Sequence, residues 1–343
     1  MRRFSFLILI FILVSTACSS VQPTPPAPPA SPCGDGVCRG PENPVNCPRD
    51  CTVEGPQPGD ASPDTPNAVP SGAEPAFKPG SDANTYWVTN PSSGARLFTE
   101  ILDGGEGDGK PKPAIILIPG GSGSSQAFRD APNKIPTPLL EAGYIVVIFD
   151  PDGRGLSVGV EDYDGFIHQD GLAEIIRFSA SLPEVDPERI GVISFSYGVT
   201  MAAGALARYP DLPVRFLIDM EGPADRNDTG GCDSASTGHL QDVVSCDDED
   251  FWAEHEALTF IAQIGVPYQR FQTAGDHAQP DNVHAILMIN AAVEGESMWV
   301  RLNDLPPNQI YDPQSPPPMV PDAMDGQFLD LCIEYAFTLL GLP

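Results

Sequence analysis

The stretch Ile190–Gly198, Ile-Gly-Val-Ile-Ser-Phe-Ser-Tyr-Gly, constrains this chain more than any other. Residues 190–193 are apolar or Gly, a short run suited to a strand buried on both faces. Ser196 follows, then Tyr197, Gly198 and the small-residue run Val199–Ala207, which reads as a helix packed closely on a sheet. Strand, tight turn with a central Ser, then helix lifts a hydroxyl above the sheet edge and needs small neighbours on either side. Here the neighbours are Ser194 and Gly198. An ordinary strand–turn–helix connection with an incidental Ser is the competing reading of this stretch alone.

With 343 residues, the chain has room for one large domain and accessories. Lys and Arg number 18 against 47 Asp and Glu, a formal net charge of −29. So acidic a surface argues against nucleic acid as a partner and against binding an anionic membrane by charge.

Arg2 and Arg3 precede the apolar run Phe4–Val14, too short to span a bilayer as a helix but the size of an export-signal core. Ser15-Thr16-Ala17-Cys18 follows and resembles a bacterial lipobox, which implies a lipid on Cys18. Ordinary signal cleavage near Ala17 is the alternative. Either way the expectation is an exported protein that admits disulfides, placed in the cell envelope at the outer membrane or secreted.

Residues 18–32 read as a Pro-rich spacer after the signal at 1–17. Cys33, Cys38, Cys47 and Cys51 then form a small Cys-rich module at 33–51. Two disulfides are expected there, with three pairings open. Zinc is the alternative, though no C-x-x-C pair is present. Asp35, Glu42 and Asp50 could hold Ca²⁺, or simply be solvated. Residues 52–83 read as a disordered linker.

From 84 to 343, buried strands alternate with helical patterns. Strands are expected at Tyr86–Thr89, Leu97–Leu102, Ala114–Ile118, Tyr144–Phe149, Ile190–Ser194, Phe216–Met220, Tyr268–Thr273 and Ser297–Leu302. Helices are expected at Ile135–Ala142, Asp170–Leu182, Asp281–Val293 and Gln327–Leu340. This rhythm implies an α/β fold: a three-layer αβα sandwich on a mostly parallel sheet of about eight strands. Residues 223–265 break the rhythm and read as an insertion lying over the strand ends like a lid, with a helix near Asp250–Ile264. Cys232 and Cys246 share that polar insertion and are expected to pair, leaving Cys332 as a buried thiol in the last helix.

Three motifs, in this order, resemble the α/β-hydrolase superfamily, in the manner of dienelactone hydrolases and esterases. Pro119-Gly-Gly-Ser-Gly123 stands where that family has an oxyanion loop; Asp150-x-x-Gly-Arg-Gly-x-Ser157 resembles its Asp-x-Arg-Gly-x-Gly-x-Ser turn; Ser194-x-Ser196-x-Gly198 occupies the elbow. The resemblance implies acyl transfer to water from a small-molecule acyl substrate, without a cofactor or metal. Ser196 would be the nucleophile, and the amides of Tyr197 and Gly121 or its neighbour the oxyanion donors.

The acid and base are less directly marked. Asp276 lies just past the expected strand at 268–273, where the family often has its acid, and Glu221 at the end of the preceding strand is the alternative. The family places its His after the last strand, yet no His occurs beyond His284. His168 and His255 read as structural or exposed, and His239 as part of the insertion. His277 and His284 rank equally as the base, with a structural role the alternative for both. Two functions therefore stay open: a serine hydrolase with a rearranged triad, or a surface-anchored binding module that kept the elbow and lost its base.

Overall fold

The computed structural model describes residues 77–80, 84–104, 109–130, 135–229, 232, 240, 244–321, 334–336, 338 and 339. The signal, Cys18, the Cys-rich module, both linkers up to residue 76, His239 and Cys332 lie outside the described residues.

Nine strands form one sheet in the order β1-β2-β3-β5-β4-β6-β7-β8-β9. The antiparallel edge comprises β1 (Phe77–Pro79), β2 (Thr85–Thr89) and β3 (Arg96–Asp103), and β3 runs antiparallel to β5 (Ile145–Phe149). Parallel pairing then continues through β4 (Lys112–Ile118), β6 (Val185–Phe195), β7 (Val214–Met220), β8 (Tyr268–Phe271) and β9 (Val300–Leu302). The carboxyl ends of these six strands therefore open on one side of the sheet, where ligand sites of open α/β sheets lie.

The parallel strands read as unbroken apolar runs because helices cover both faces. Ala114, Ile116 and Ile118 of β4 pack with Ile145, Val147 and Phe149 of β5 on one face. There they meet α3 (Phe166–Ser181), α4 (Gly198–Arg208), α7 (Ala257–Ile261) and α8 (Val283–Glu294). Ile115, Leu117, Val146 and Ile148 turn to the other face. They pack with Phe128 of α1 (Gln126–Asp130), Leu139 of α2 (Pro136–Glu141) and the C-terminal helical residues Tyr335 and Ala336. Each fully buried aliphatic side chain contributes about 1.5–3 kcal/mol, so the two faces supply most of the sheet's stabilisation.

Several elements differ from the sequence expectation. β1 begins before Asn84 and pairs Phe77 with Val88, covering a sheet edge that β2 would otherwise leave open. Helix α3 starts at Phe166, ahead of Asp170, because the Asp162 carboxylate accepts the amides of Ile167 (2.8 Å) and His168 (3.2 Å). The helix expected near 250–264 is two helices, α6 (Glu249–His255) and α7, broken at the extended residue Glu256. Glu256 there accepts the backbone amide and the Nε of Arg226, the first residue of α5 (Arg226–Thr229). Finally, α7 is no lid. Ala257, Phe260 and Ile261 are buried in the main core, so this part of 223–265 is the crossover helix between β7 and β8. Cys232 and Cys246 are joined by a disulfide. Among the described residues no helix is long and apolar enough to cross a membrane.

Candidate active site

β6 ends at Phe195, and Ser196 turns the chain with φ +49°. That is a left-handed conformation costing a non-Gly residue on the order of 1–3 kcal/mol, of the kind concentrated at functional turns. The Ser196 amide donates to the Met220 carbonyl at the end of β7 (2.8 Å), which ties the elbow to its neighbour strand. Close approach explains the glycines. A Cβ on Gly198 would sit 2.5 Å from the Pro119 carbonyl oxygen, and one on Gly120 would sit 2.8 Å from the Ser196 Cβ. The Pro119–Gly123 loop thus rests directly on the elbow. Ser194 fits where Gly is usual, its Oγ 3.4 Å from the Ile218 carbonyl. The backbone amides of Gly121 and Tyr197 enter none of the hydrogen bonds among the described residues.

The Asp150 turn supports this loop rather than facing the site. Its carboxylate accepts from the amide (2.8 Å) and hydroxyl (2.6 Å) of Ser125 and from the Leu156 amide (2.7 Å). Ser157 closes the turn by donating to the Asp150 carbonyl (2.6 Å).

Among the described residues, one imidazole reaches Ser196. The Nε2 of His277 lies 2.9 Å from the Ser196 Oγ, and its Nδ1 lies 2.8 Å from Oε2 of Glu221. Glu221 stands at the end of β7 with φ +54°, its amide donating to the Phe271 carbonyl of β8 (3.0 Å). The buried carboxylate is held by Thr273, whose amide (3.2 Å) and Oγ1 both donate to its Oε1. The chain order is Ser, Glu, His, the order typical of this kind of site. The acid sits at the end of β7, which neighbours the elbow strand, and the imidazole in the loop after β8, the next strand in the sheet.

Asp276 is placed differently from the expectation that it orients the base. Its Oδ1 lies 3.5 Å from the His277 Nδ1 but accepts the Ala278 and Gln279 amides at 2.8 Å each. Its Oδ2 accepts from Gln272 (2.8 Å) and lies 3.3 Å from Nε2 of His284. Adjacent residues leaving a strand point apart, so Asp276 turns to its own loop while His277 turns to Ser196. His284 is buried behind them, its Nδ1 3.1 Å from the Gly222 carbonyl and 3.2 Å from Arg270, and it makes no contact with Ser196. His168 and His255 serve the scaffold. Nε2 of His168 bonds the Asp152 carbonyl (3.0 Å), and Nε2 of His255 the Asp162 carbonyl (2.7 Å).

The hydrogen bond to Glu221, helped by the charge of Asp276, raises the His277 pKa above its ordinary value against the opposing effect of burial. Burial works against ionised Asp276 as well. Contacts from His284, Gln272 and the two loop amides outweigh it and hold this carboxyl below the usual range.

Behind the acid lies a polar network that sequence reading does not find. Arg270 of β8 is fully buried and donates to Asp219 (2.5 Å), to the Gly222 carbonyl (2.7 Å) and to Gln272 (2.7 Å). Tyr268 donates to the same Asp219 oxygen (2.7 Å). This network joins the ends of β7 and β8, from which Glu221 and the His277 loop depart. The available signal was a charged residue within each of two short apolar strands, Phe-Leu-Ile-Asp219-Met and Tyr-Gln-Arg270-Phe.

Glu221, Asp276 and His277 also bring three possible metal-ligand atoms within 4.8 Å of one another. The Asp276 carboxylate already accepts three hydrogen bonds, from the Ala278 and Gln279 amides and from Gln272, so the cluster is better built to hold an imidazole than a cation.

No protein-family model matches the chain, and no curated protein matches its sequence. Solved structures do match. Acetyl xylan esterase 1 from Thermoanaerobacterium sp. superposes with a TM-score of 0.56 at 19% identity, over 78% of this chain and 89% of that one. The esterase Pf2001 of Pyrococcus furiosus gives a TM-score of 0.52 at 18% identity, over 75% and 90%. A puromycin-hydrolyzing peptidase of Mycobacterium tuberculosis gives 0.56 at 11% identity, over 76% of this chain but 39% of that longer one. Likeness at these identities is likeness of fold. The sheet order, the elbow and these neighbours define the class: the chain has the α/β-hydrolase fold.

Proposed function

We propose that the protein is a serine hydrolase that cleaves a carboxylic ester or related acyl bond of a small-molecule substrate. The observation that carries this reading is the unbroken chain from the Ser196 Oγ through His277 (2.9 Å) to Glu221 (2.8 Å). In this reading the His277 Nε2 takes the proton as Ser196 Oγ attacks the acyl carbon. Glu221 holds the ring by its Nδ1–H and stabilises the imidazolium that forms. The Gly121 and Tyr197 amides donate to the oxyanion, each such bond contributing on the order of 3 kcal/mol to the barrier drop. The imidazolium returns its proton to the leaving oxygen, and water, deprotonated by the same nitrogen, releases the acid and restores Ser196.

The reading of a module that lost its base rested on the absence of a His after the last strand. An imidazole within hydrogen-bond reach of Ser196 removes that reason. The esterase and peptidase neighbours are compatible with the proposal, though their substrates belong to those proteins. We further propose export and anchoring through a lipid on Cys18, supported by the signal-like N-terminus and consistent with the Cys232–Cys246 disulfide.

A fluorophosphonate probe tests the core of the proposal. Wild type should label and should hydrolyse short p-nitrophenyl esters, and Ser196→Ala should do neither. Wild type that neither labels nor hydrolyses above the Ser196→Ala background would sink it.

A further inference from the structure

We propose that Asp276 is a positioning residue for His277: a second, fixed carboxylate that steadies the ring against Ser196 and stabilises its protonated form during turnover. The proposal rests on the hydrolase reading above and assigns the second carboxylate of the site a task distinct from that of Glu221.

Three features of the geometry point to it. First, the Asp276 Oδ1 lies 3.5 Å from the His277 Nδ1, too far to compete with Glu221 at 2.8 Å for the N–H. It is close enough for its charge to act on the ring. Second, Asp276 cannot swing. Two loop amides hold one oxygen, and Gln272 and His284 flank the other. A carboxylate so surrounded behaves as a stationary charge that needs no reorganisation when the imidazolium forms. Third, its partners belong to a network that runs into the scaffold. Gln272 accepts from Arg270 (2.7 Å) and donates to Asn282 (2.9 Å), and Arg270 is anchored on Asp219. The charge is thereby referenced to the same strand ends that carry Glu221.

Among the described residues, the charged groups that act on His277 are Glu221 at the end of β7, Asp276 on its own loop and Arg270 of β8, while His284 of α8 and Asp228 of α5 meet the Asp276 loop and its neighbours. Arg270 opposes ring protonation, while Glu221 and Asp276 favour it. Asp228 meets the loop through its carbonyl, which accepts from Gln279 (3.0 Å). Two carboxylates with separate tasks therefore dominate the ring: Glu221 gives direction and charge, Asp276 charge alone.

The test is the titration of the His277 ring followed by NMR, made in a Ser196→Ala background so that it stands whether or not the protein hydrolyses anything. The full folded chain is used. With both carboxylates present, the midpoint should lie above the ordinary value of about 6.5. Asp276→Asn should lower it by about one pH unit, the scale expected of an opposite charge at this range. Glu221→Gln should keep part of the elevation, because Asp276 remains. In the enzyme with Ser196 intact, Asp276→Asn should lower kcat about tenfold with KM unchanged and move the acid limb of kcat to lower pH. A midpoint that does not move in Asp276→Asn overturns the proposal, even if the melting temperature falls, since that pattern is a purely structural role. Should Asp276→Asn not fold, Glu221→Gln decides: a midpoint at or below the ordinary value there assigns the whole effect to Glu221 and overturns the proposal. Failed hydrolysis with the titration shifts intact refutes the hydrolase reading and leaves the charge assignment standing.

Discussion

Replacing Glu221 by Gln separates the two contributions of the acid. The side chain keeps its shape, and its amide oxygen can still accept from Thr273 as Oε1 now does. The atom facing His277 then becomes an NH₂ group, which cannot accept the Nδ1–H bond now 2.8 Å long. The ring is driven toward the tautomer with its proton on Nε2, where it cannot take the Ser196 proton. In a Ser-His-Asp protease the corresponding amide swap costs about 10⁴ in kcat. Here Asp276 remains 3.5 Å from the same nitrogen. With an effective dielectric constant of about 20, the attraction of an imidazolium to a carboxylate is about 6 kcal/mol at the Glu221 distance and about 5 at the Asp276 distance. Solvent at the partly exposed ring reduces both values, yet the residual charge stays comparable. Glu221→Gln therefore loses the directional bond and keeps part of the charge stabilisation. The expected fall in kcat is about 10³-fold, or about 4 kcal/mol, and the double variant with Asp276→Asn should approach 10⁴. Single-turnover hydrolysis of a p-nitrophenyl ester measures both. A Glu221→Gln enzyme within threefold of wild type, or a double variant no slower than the single, refutes the reasoning.

The same geometry sets other expectations. His277 must be neutral to act as base, and its pKa is raised by Glu221, so kcat/KM should be lost as pH falls through a midpoint above about 6.5; a limb well below that value contradicts the assignment. In stability the raised His277 pKa contributes below the unfolded-state value and is lost as pH rises through the folded one, whereas the lowered Asp276 pKa contributes above the usual carboxylate value and is lost on acidification. Arg270→Met would strand the buried Asp219 carboxylate and should cost about 3–5 kcal/mol in denaturant unfolding; a loss under 1 kcal/mol shows that the network relaxes. Opening the Cys232–Cys246 bridge, whose cysteines are 14 residues apart, by a double Ser variant should cost about 3 kcal/mol in the chain-entropy picture. Unchanged stability would mean that this segment unfolds independently of the sheet. Cys18→Ser should release the protein from membranes while still allowing export, and a wild type with no acyl mass on Cys18 refutes the anchor.

The strands and helices were legible in the sequence because their signals are local. Ile145–Phe149 is apolar throughout because helices cover both faces of the sheet, and the run after Ser196 is small because α4 packs closely on it. The elbow could be read for the same reason: its glycines answer contacts that any chain folded into that turn must make. The pairing of acid and base carries no local signal. Glu221, Asp276 and His277 lie on two strand ends, and all three residue types are plausible wherever a loop meets water. Which carboxylate meets the imidazole depends on a left-handed backbone at Glu221, on Thr273 holding its carboxylate, and on Asp276 turning to its own loop amides. The path of the chain after β9 is tertiary too. Asn303 takes a left-handed turn and pairs its side-chain amide with both the backbone amide and the carbonyl of Gln272 (2.9 Å each), and Val320 returns to bridge Thr273. This returning segment pairs just beyond the end of β8, and the imidazole reaches Ser196 from the loop that follows. Apolar periodicity determines the layers by itself, because burial is decided residue by residue. The reach of His277 to Ser196 was decided only by the order of strands in the sheet, which sets residues 81 positions apart in the chain within one hydrogen bond.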